Sequence, residues 1–142
     1  MTPCDPGSTW VLTDRYGSQY ADHVFSAVAI RSADHLRAVL AEFAGRDPRL
    51  LDLDSPDGFR VVLALGGPHG AVEVYGREGE NEYALVALAD GPTATDAVCF
   101  VNEWQTHYFP PRNLLPASEV IALPAELYET RRIPRRVGWE RW

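Results

Sequence analysis

The chain contains no lysine, so all thirteen of its permanently cationic side chains are arginines. Cysteine is scarce as well, and two residues, Cys4 and Cys99, cannot make a disulfide framework. No apolar run approaches the roughly 20 residues that span a bilayer. The N-terminal segment carries neither a basic region nor an apolar stretch. We therefore expect no signal peptide, no membrane association and a cytoplasmic location.

Signatures of catalysis and of metal binding are also missing. No histidine lies within metal-site spacing of another histidine or a cysteine, and no Cys-x-x-Cys pair occurs. The segment 66–70 lacks the Gly-Lys-Ser/Thr ending of a phosphate loop, and neither a Gly-x-Ser-x-Gly elbow nor the zinc deaminase signature is present. We predict a protein that is not an enzyme and has no catalytic residue, metal or cofactor. A small hydrolase that pairs His69 or His107 with a carboxylate remains an alternative.

The net charge is negative and unevenly distributed. It is −7 overall, with seven arginines against sixteen acidic residues in 1–110 and six arginines against four in 111–142. Because phosphate binding needs clustered cations, the acidic part argues against nucleic acid as a direct partner. It suits a basic protein partner through charge complementarity, although acidity also serves solubility alone.

Periodicity predicts one α+β domain over residues 1–142. Leu36, Val39, Leu40 and Phe43 recur at helical spacing after the cap residue Ser32 and predict a helix over about 33–45. Runs of strands with one early and one late helix favour a mostly antiparallel meander, packed against helices at about 33–45 and 116–130. The strand-like runs are 10–12, 24–30, 59–65, 71–75, 83–88 and 97–101, and 104–109 is also predicted to be extended. The segment 47–57 is predicted to be a polar loop, and 76–82 is predicted to be a turn.

The last quarter of the chain has the most informative pattern. Pro116 suits the start of a helix, and an apolar stripe at helical spacing follows it. Pro124 removes a hydrogen bond in mid-helix, so the helix is either kinked there or begins there. The spacing runs through Pro124 and favours a kinked helix over 116–130. The stripe consists of Val120, Ile121, Pro124, Leu127 and Tyr128.

A stop and a short strand follow this helix. Pro134 cannot continue a helix, and Val137 and Trp139 would share one face of a strand, with Trp139 directed into the core. The order of these features resembles the immunity protein 1 family of bacterial polymorphic toxin systems. The matching residues are Leu127, Tyr128, Thr130, Pro134, Val137 and Trp139, preceded by Phe109-Pro110-Pro111 and Leu115-Pro116.

This resemblance implies a function that composition does not reveal. It implies an immunity protein that binds a cognate toxin domain, a nucleic-acid (cytidine) deaminase, and occludes its active site. Such a protein needs no catalytic residues of its own, and we favour a monomer. A homodimeric structural or regulatory module that uses a sheet edge or the aromatic segment is the alternative.

Two acidic groups are candidates for toxin binding. Glu78, Glu80 and Glu82 would share one face if their segment is extended, and such a row would attract a cationic partner. Asp52, Asp54 and Asp57 form the second group. Either group could instead be solvated and without a partner.

An aromatic segment completes the predicted toxin-binding set. Trp104, His107 and Tyr108 lie within a few residues of one another. Aromatic side chains are favoured anchors of interfaces and are also common in cores.

Overall fold

The computed structural model describes residues 9–14, 26–90, 97–102 and 105–141. In these ranges the chain adopts the predicted α+β fold, an antiparallel sheet with two helices. The helices are α1 (Ala33–Ala44) and α2 (Ala117–Thr130). The strands are β1 (Trp10–Asp14), β2 (Ser26–Ile30), β3 (Arg49–Asp54), β4 (Arg60–Leu65), β5 (His69–Glu78), β6 (Asn81–Leu88), β7 (Val98–Asn102), β8 (Gln105–Phe109), β9 (Leu115–Pro116) and β10 (Gly138–Arg141). Cys4, Trp104 and positions 24 and 25 of the second predicted strand lie outside the described residues.

The main sheet has the order β10-β6-β5-β4-β3-β1-β2, with antiparallel pairing throughout. Strands β4, β5 and β6 pair in chain order, which confirms the meander predicted for 59–65, 71–75 and 83–88. The predicted strand 97–101 does not continue it, because β7 pairs with β8 and β3. β7 and β8 form a separate hairpin that joins β3 through one parallel bridge between Arg49 and Val101. The short β9 pairs with β5 just before α2 begins.

Both helices pack on one face of this sheet, called here the helix face. The Ser32 side chain caps α1 by accepting a hydrogen bond of 3.0 Å from the backbone N–H of His35. Leu36, Leu40 and Phe43 are buried in the core that the helices share with the sheet. The helical spacing read from the sequence therefore identifies the stripe that faces the core, although Val39 is only partly buried.

The helix α2 runs through Pro124 without a break, so the alternative in which it begins at this residue is wrong. Pro116 is the cap residue before the helix and not its first residue. Trp139 packs half-buried against the core, and its indole N–H donates to the carbonyl of Pro134 at 2.8 Å. The last strand begins at Gly138, so Val137 precedes it.

The prediction of a polar loop over 47–57 is wrong, because Arg49–Asp54 is the buried strand β3 in the middle of the sheet. Leu51 and Leu53 are fully buried on the helix face. The charges that suggested a loop are neutralised across strands: Arg49 pairs with Asp14, and Asp52 pairs with Arg60. A local pattern cannot reveal such partners.

The predicted turn over 76–82 is too long. β5 continues to Glu78 and β6 begins at Asn81, so the tight turn is Gly79-Glu80 alone. Glu78 lies opposite Asn81, whereas Glu82 lies opposite Arg77. Neighbouring strand residues point to opposite faces, so Glu78 and Glu82 are on opposite faces of the hairpin and the predicted one-faced row does not form.

The face away from the helices, called here the second face, has its own apolar cluster. Phe100 and Phe109 of the β7–β8 hairpin pack there against Leu50, Ala64 and Val86 of the sheet. Their rings meet edge to face at 5.8 Å. The hairpin thereby places β8 beside the polar part of the second face.

Candidate functional site

A cavity of about 210 Å³ lies on the second face beside this cluster. Strand register assembles it: Asp52, Val62 and Glu73 lie side by side on β3, β4 and β5, and Arg60 lies opposite Tyr75. His107 reaches the cavity from β8, where it is paired with the buried Phe100. This site, called here the acidic cavity, is lined by Leu50, Asp52, Arg60, Val62, Glu73, Tyr75 and His107.

Arg60 holds the carboxylates on one side of the cavity. It donates to Asp52 at 3.2 Å and lies 3.7 Å from Asp54. The side chain of Asp52 is 7% exposed and that of Asp54 is 56% exposed. Among the described residues, one arginine therefore faces two carboxylates at this corner.

Glu73 supplies a further buried carboxylate and is 7% exposed. The hydroxyl of Tyr75 donates to it at 2.5 Å. Within the described parts of the chain Glu73 makes no ion pair, and an ionised carboxylate has about four acceptor positions. Glu73 can therefore accept additional hydrogen bonds from a group that enters the cavity.

The environment of Tyr75 disfavours its ionised form. Burial, and then the hydrogen bond that its hydroxyl donates to Glu73, raise the pKa of Tyr75 above its ordinary value. The unfolded chain therefore releases this proton at lower pH than the folded chain. The protonated hydroxyl of Tyr75 therefore contributes its full stabilisation of the fold below about pH 10, and this contribution is lost as the pH rises further.

We expect Tyr75→Phe to reduce the loss of stability in alkali, because phenylalanine has no proton to release. At neutral pH the same change should lower the free energy of unfolding by about 1–2 kcal/mol, since Glu73 loses its donor. Urea unfolding between pH 7 and about pH 11 would measure both effects. Tyr108→Phe is the matched control, because Tyr108 is 70% exposed. An alkaline slope that Tyr75→Phe leaves unchanged would contradict the assignment.

The structure brings only some of the predicted toxin-binding residues together. Asp52 and His107 line the acidic cavity, and Asp54 lies at its rim. Glu82 is on the same face as Glu73 and Tyr75, where it pairs with Arg77. The other predicted residues are exposed away from this cavity: Asp57, Glu78, Glu80 and Tyr108. Asp57 pairs with Arg131 at 3.3 Å. Trp104 lies outside the described residues.

Sequence reasoning missed Glu73, Tyr75 and Arg60. The alternation along 71–75 predicts a half-buried strand, and in such a pattern Glu73 and Tyr75 belong to the face opposite Val72 and Val74. That alternation was the available signal. It could not show that Asp52 and His107 would meet them, because the register of distant strands is required.

A larger cavity of about 840 Å³ lies on the other side of the hairpin β5–β6, where α2 ends. Burial, and then the charge of Glu78, raise the pKa of Tyr83 at its wall. It is called here the arginine cavity, and its lining includes Phe59, Tyr83, Arg131, Arg132, Pro134 and Arg135.

The two cavities are suited to binding charged groups. The acidic cavity offers oxygen acceptors to a guanidinium or an ammonium, and the arginine cavity offers donors to carboxylates. In the part of the chain that the structure describes, no group of three or more His, Cys, Asp or Glu side chains could hold a metal ion. Neither of the described helices is long and apolar enough to cross a bilayer.

Comparison with protein families adds a functional assignment to this geometry. The chain matches Immunity protein Imm1 over residues 26–141. This range includes both helices, both cavities and the C-terminal segment that carries the resemblance seen in the sequence. No curated protein matches the chain.

Proposed function

The chain belongs to the Imm1 family of immunity proteins, and from this premise we propose that it binds and neutralises a cognate toxin, a nucleic-acid (cytidine) deaminase, by occluding the toxin's active site. The family supports a toxin as the partner. The observation that carries the rest is the acidic cavity and its rim on the second face. Binding, and not catalysis by this chain, is the activity proposed.

The charge of the second face fits a deaminase that acts on nucleic acid. Such an enzyme needs a basic cleft to hold phosphates. Within strands β3 to β6, the carboxylates of Asp52, Asp54, Glu73 and Glu82 outnumber the two arginines, Arg60 and Arg77, on this sheet face. Carboxylates from this face would occupy the positions of substrate phosphates in the cleft. Tyr75, 38% exposed beside them, would serve as an aromatic anchor.

The direct test needs the cognate toxin domain, which is to be sought in the reading frames next to the one that encodes this chain. The purified chain, titrated against that domain in a deamination assay on single-stranded DNA and RNA, should abolish activity at one equivalent. A complex that forms without loss of activity would refute occlusion. A neighbouring toxin with another enzymatic activity, inhibited equally well, would refute the deaminase assignment alone.

Reversal of exposed charges tests the surface. Asp54→Arg/Glu82→Arg should lower the association rate with the toxin about tenfold at low salt, because rim charges act mainly on encounter. Both side chains are more than half exposed, so the fold should persist. Asp34→Arg/Glu42→Arg on α1 changes the net charge equally on the other side of the sheet. Equal rates for the two variants would remove the second face from the interface.

A further inference from the structure

The arginine cavity is notable because this acidic chain concentrates cations there. Arg132 and Arg135 line it, and Arg141 lines a neighbouring cavity that shares Tyr83 and Ile133. All three are exposed, and among residues 9–14, 26–90, 97–102 and 105–141 none of them makes an ion pair. Like charges that are close together and unneutralised favour an incoming anion.

The segment 130–134, which contains Arg132 and directly precedes Arg135, is fixed by hydrogen bonds at both ends. The hydroxyl of Thr130 donates to the carbonyl of Glu126 at 3.0 Å and accepts from the backbone N–H of Arg132 at 3.2 Å. Four residues beyond Thr130, the carbonyl of Pro134 accepts from the indole N–H of Trp139. The backbone that presents Arg132 and Arg135 is therefore preorganised, which lowers the entropic cost of binding.

Arg131 is held in place separately. It ends α2 with a left-handed φ of 59°, and its backbone N–H donates to the carbonyl of Leu127 at 2.8 Å. Its guanidinium lies 5.0 Å from the Trp10 ring and 5.2 Å from the Tyr128 ring, and it pairs with Asp57. Since Arg131 is occupied by these contacts, Arg132 and Arg135 are the groups available to a ligand.

The surroundings favour a short acidic protein segment over a nucleic acid. Phe59, Tyr83 and Pro134 give the cavity an apolar wall against which aliphatic stems of a partner can pack. The cationic patch is local, since the whole chain carries −7 and Glu126 lines the same cavity. A phosphate backbone that extends beyond the patch would meet repulsion, whereas one or two carboxylates would not.

A groove of about 290 Å³ shares lining residues with both cavities: Arg60 and Tyr75 with the acidic cavity, and Tyr83 with the arginine cavity. Gly76 lies in this groove, under the ring of Tyr83, where a side chain would collide with the ring. One partner surface could therefore occupy both sites.

We propose that the arginine cavity is a second docking site for the toxin and takes an acidic segment of it, with carboxylates bound by Arg132 and Arg135. This inference rests on the proposed function, because it names the toxin as the partner. It adds that recognition is bipolar: the toxin presents basic groups to the second face and acidic groups to the end of α2. Two opposite charges in fixed positions give specificity that net charge alone cannot give.

Double charge reversal at the cavity tests this proposal. Arg132→Glu/Arg135→Glu should weaken toxin binding about tenfold, measured by biolayer interferometry with the full-length chain. Arg132→Gln/Arg135→Gln should give a smaller loss in the same direction. The matched control is Arg31→Glu/Arg46→Glu, at exposed positions flanking α1 that do not line the cavity. Because the control adds the same negative charge, it should leave binding to a basic cleft unchanged or tighter.

The outcomes separate the two proposals. If the wild-type chain neither binds nor inhibits the toxin, the proposed function fails and the bipolar docking fails with it. If the cavity variants bind as tightly as the control, with unchanged thermal unfolding, only the docking of an acidic segment is overturned. Binding of a labelled single-stranded RNA to the wild type, lost in the cavity variants, would overturn it in favour of phosphate.

Discussion

Arg49→Met should lower the free energy of unfolding by about 3–5 kcal/mol, because it removes the arginine that pairs with a buried carboxylate. Arg49 donates to Asp14 at 3.0 Å, and both side chains are 9% exposed. The Nε of Arg49 also donates to the carbonyl of Asp47 at 3.0 Å, which fixes the entry into β3. Urea unfolding followed by tryptophan fluorescence would measure the loss.

Two comparisons make this expectation specific. Asp14→Leu/Arg49→Met removes both charges and should recover most of the loss, since a buried pair contributes little beyond what apolar residues of similar size would. Arg37→Met breaks ion pairs with Asp34 and Glu129 at a site where Arg37 is 44% exposed, and should cost no more than about 1 kcal/mol. If Arg49→Met also lowers the free energy of unfolding by less than about 1 kcal/mol, Asp14 is not desolvated in the folded chain.

Elements with local signals were predictable from the sequence. Ser32 and the spacing of Leu36, Leu40 and Phe43 are contained within α1, so cap and stripe could be read together. The hairpin β4–β5 is likewise encoded by a Gly-rich turn between two apolar runs. The helix α2 was predictable despite Pro124, because the apolar stripe continues on both sides of the proline.

β3 was not predictable because its charges are neutralised by distant residues. Pro48, Pro56 and four aspartates in 47–57 are typical of a loop. The partners that make burial possible are Asp14 and Arg60, on the two strands that flank β3. Burial of Leu51 and Leu53 on the helix face then determines that Asp52 lies on the second face.

The site follows the same logic. Asp52 and His107 could be named as candidates from residue type, but the cavity exists because β3, β5 and β8 meet on one face. Glu78 and Glu82 could be named as well, yet their register across the two-residue turn separates them. Residue types in a sequence therefore suggested the chemistry, while strand pairing decided which groups act together.

Gly66→Ala should destabilise the fold by at least about 3 kcal/mol, because two independent penalties act at one position. Gly66 has a φ of +119°, a conformation that residues with a side chain rarely adopt. A Cβ placed there would lie 2.5 Å from the Cα of Pro48, and this neighbour is backbone that cannot rotate away. Pro48 directly precedes β3, so relief of the clash would displace the strand that carries Asp52.

The adjacent Gly67 separates the two penalties. It also has a positive φ, +92°, but nothing lies within 4 Å of the position of its Cβ. Gly67→Ala should therefore cost only about 1 kcal/mol, the conformational penalty alone. Thermal and urea unfolding of both variants would give the difference, and toxin binding below the unfolding transition should be weakened by Gly66→Ala alone. Equal stability losses would mean that contact with Pro48 does not position β3, and that the acidic cavity depends on strand pairing alone.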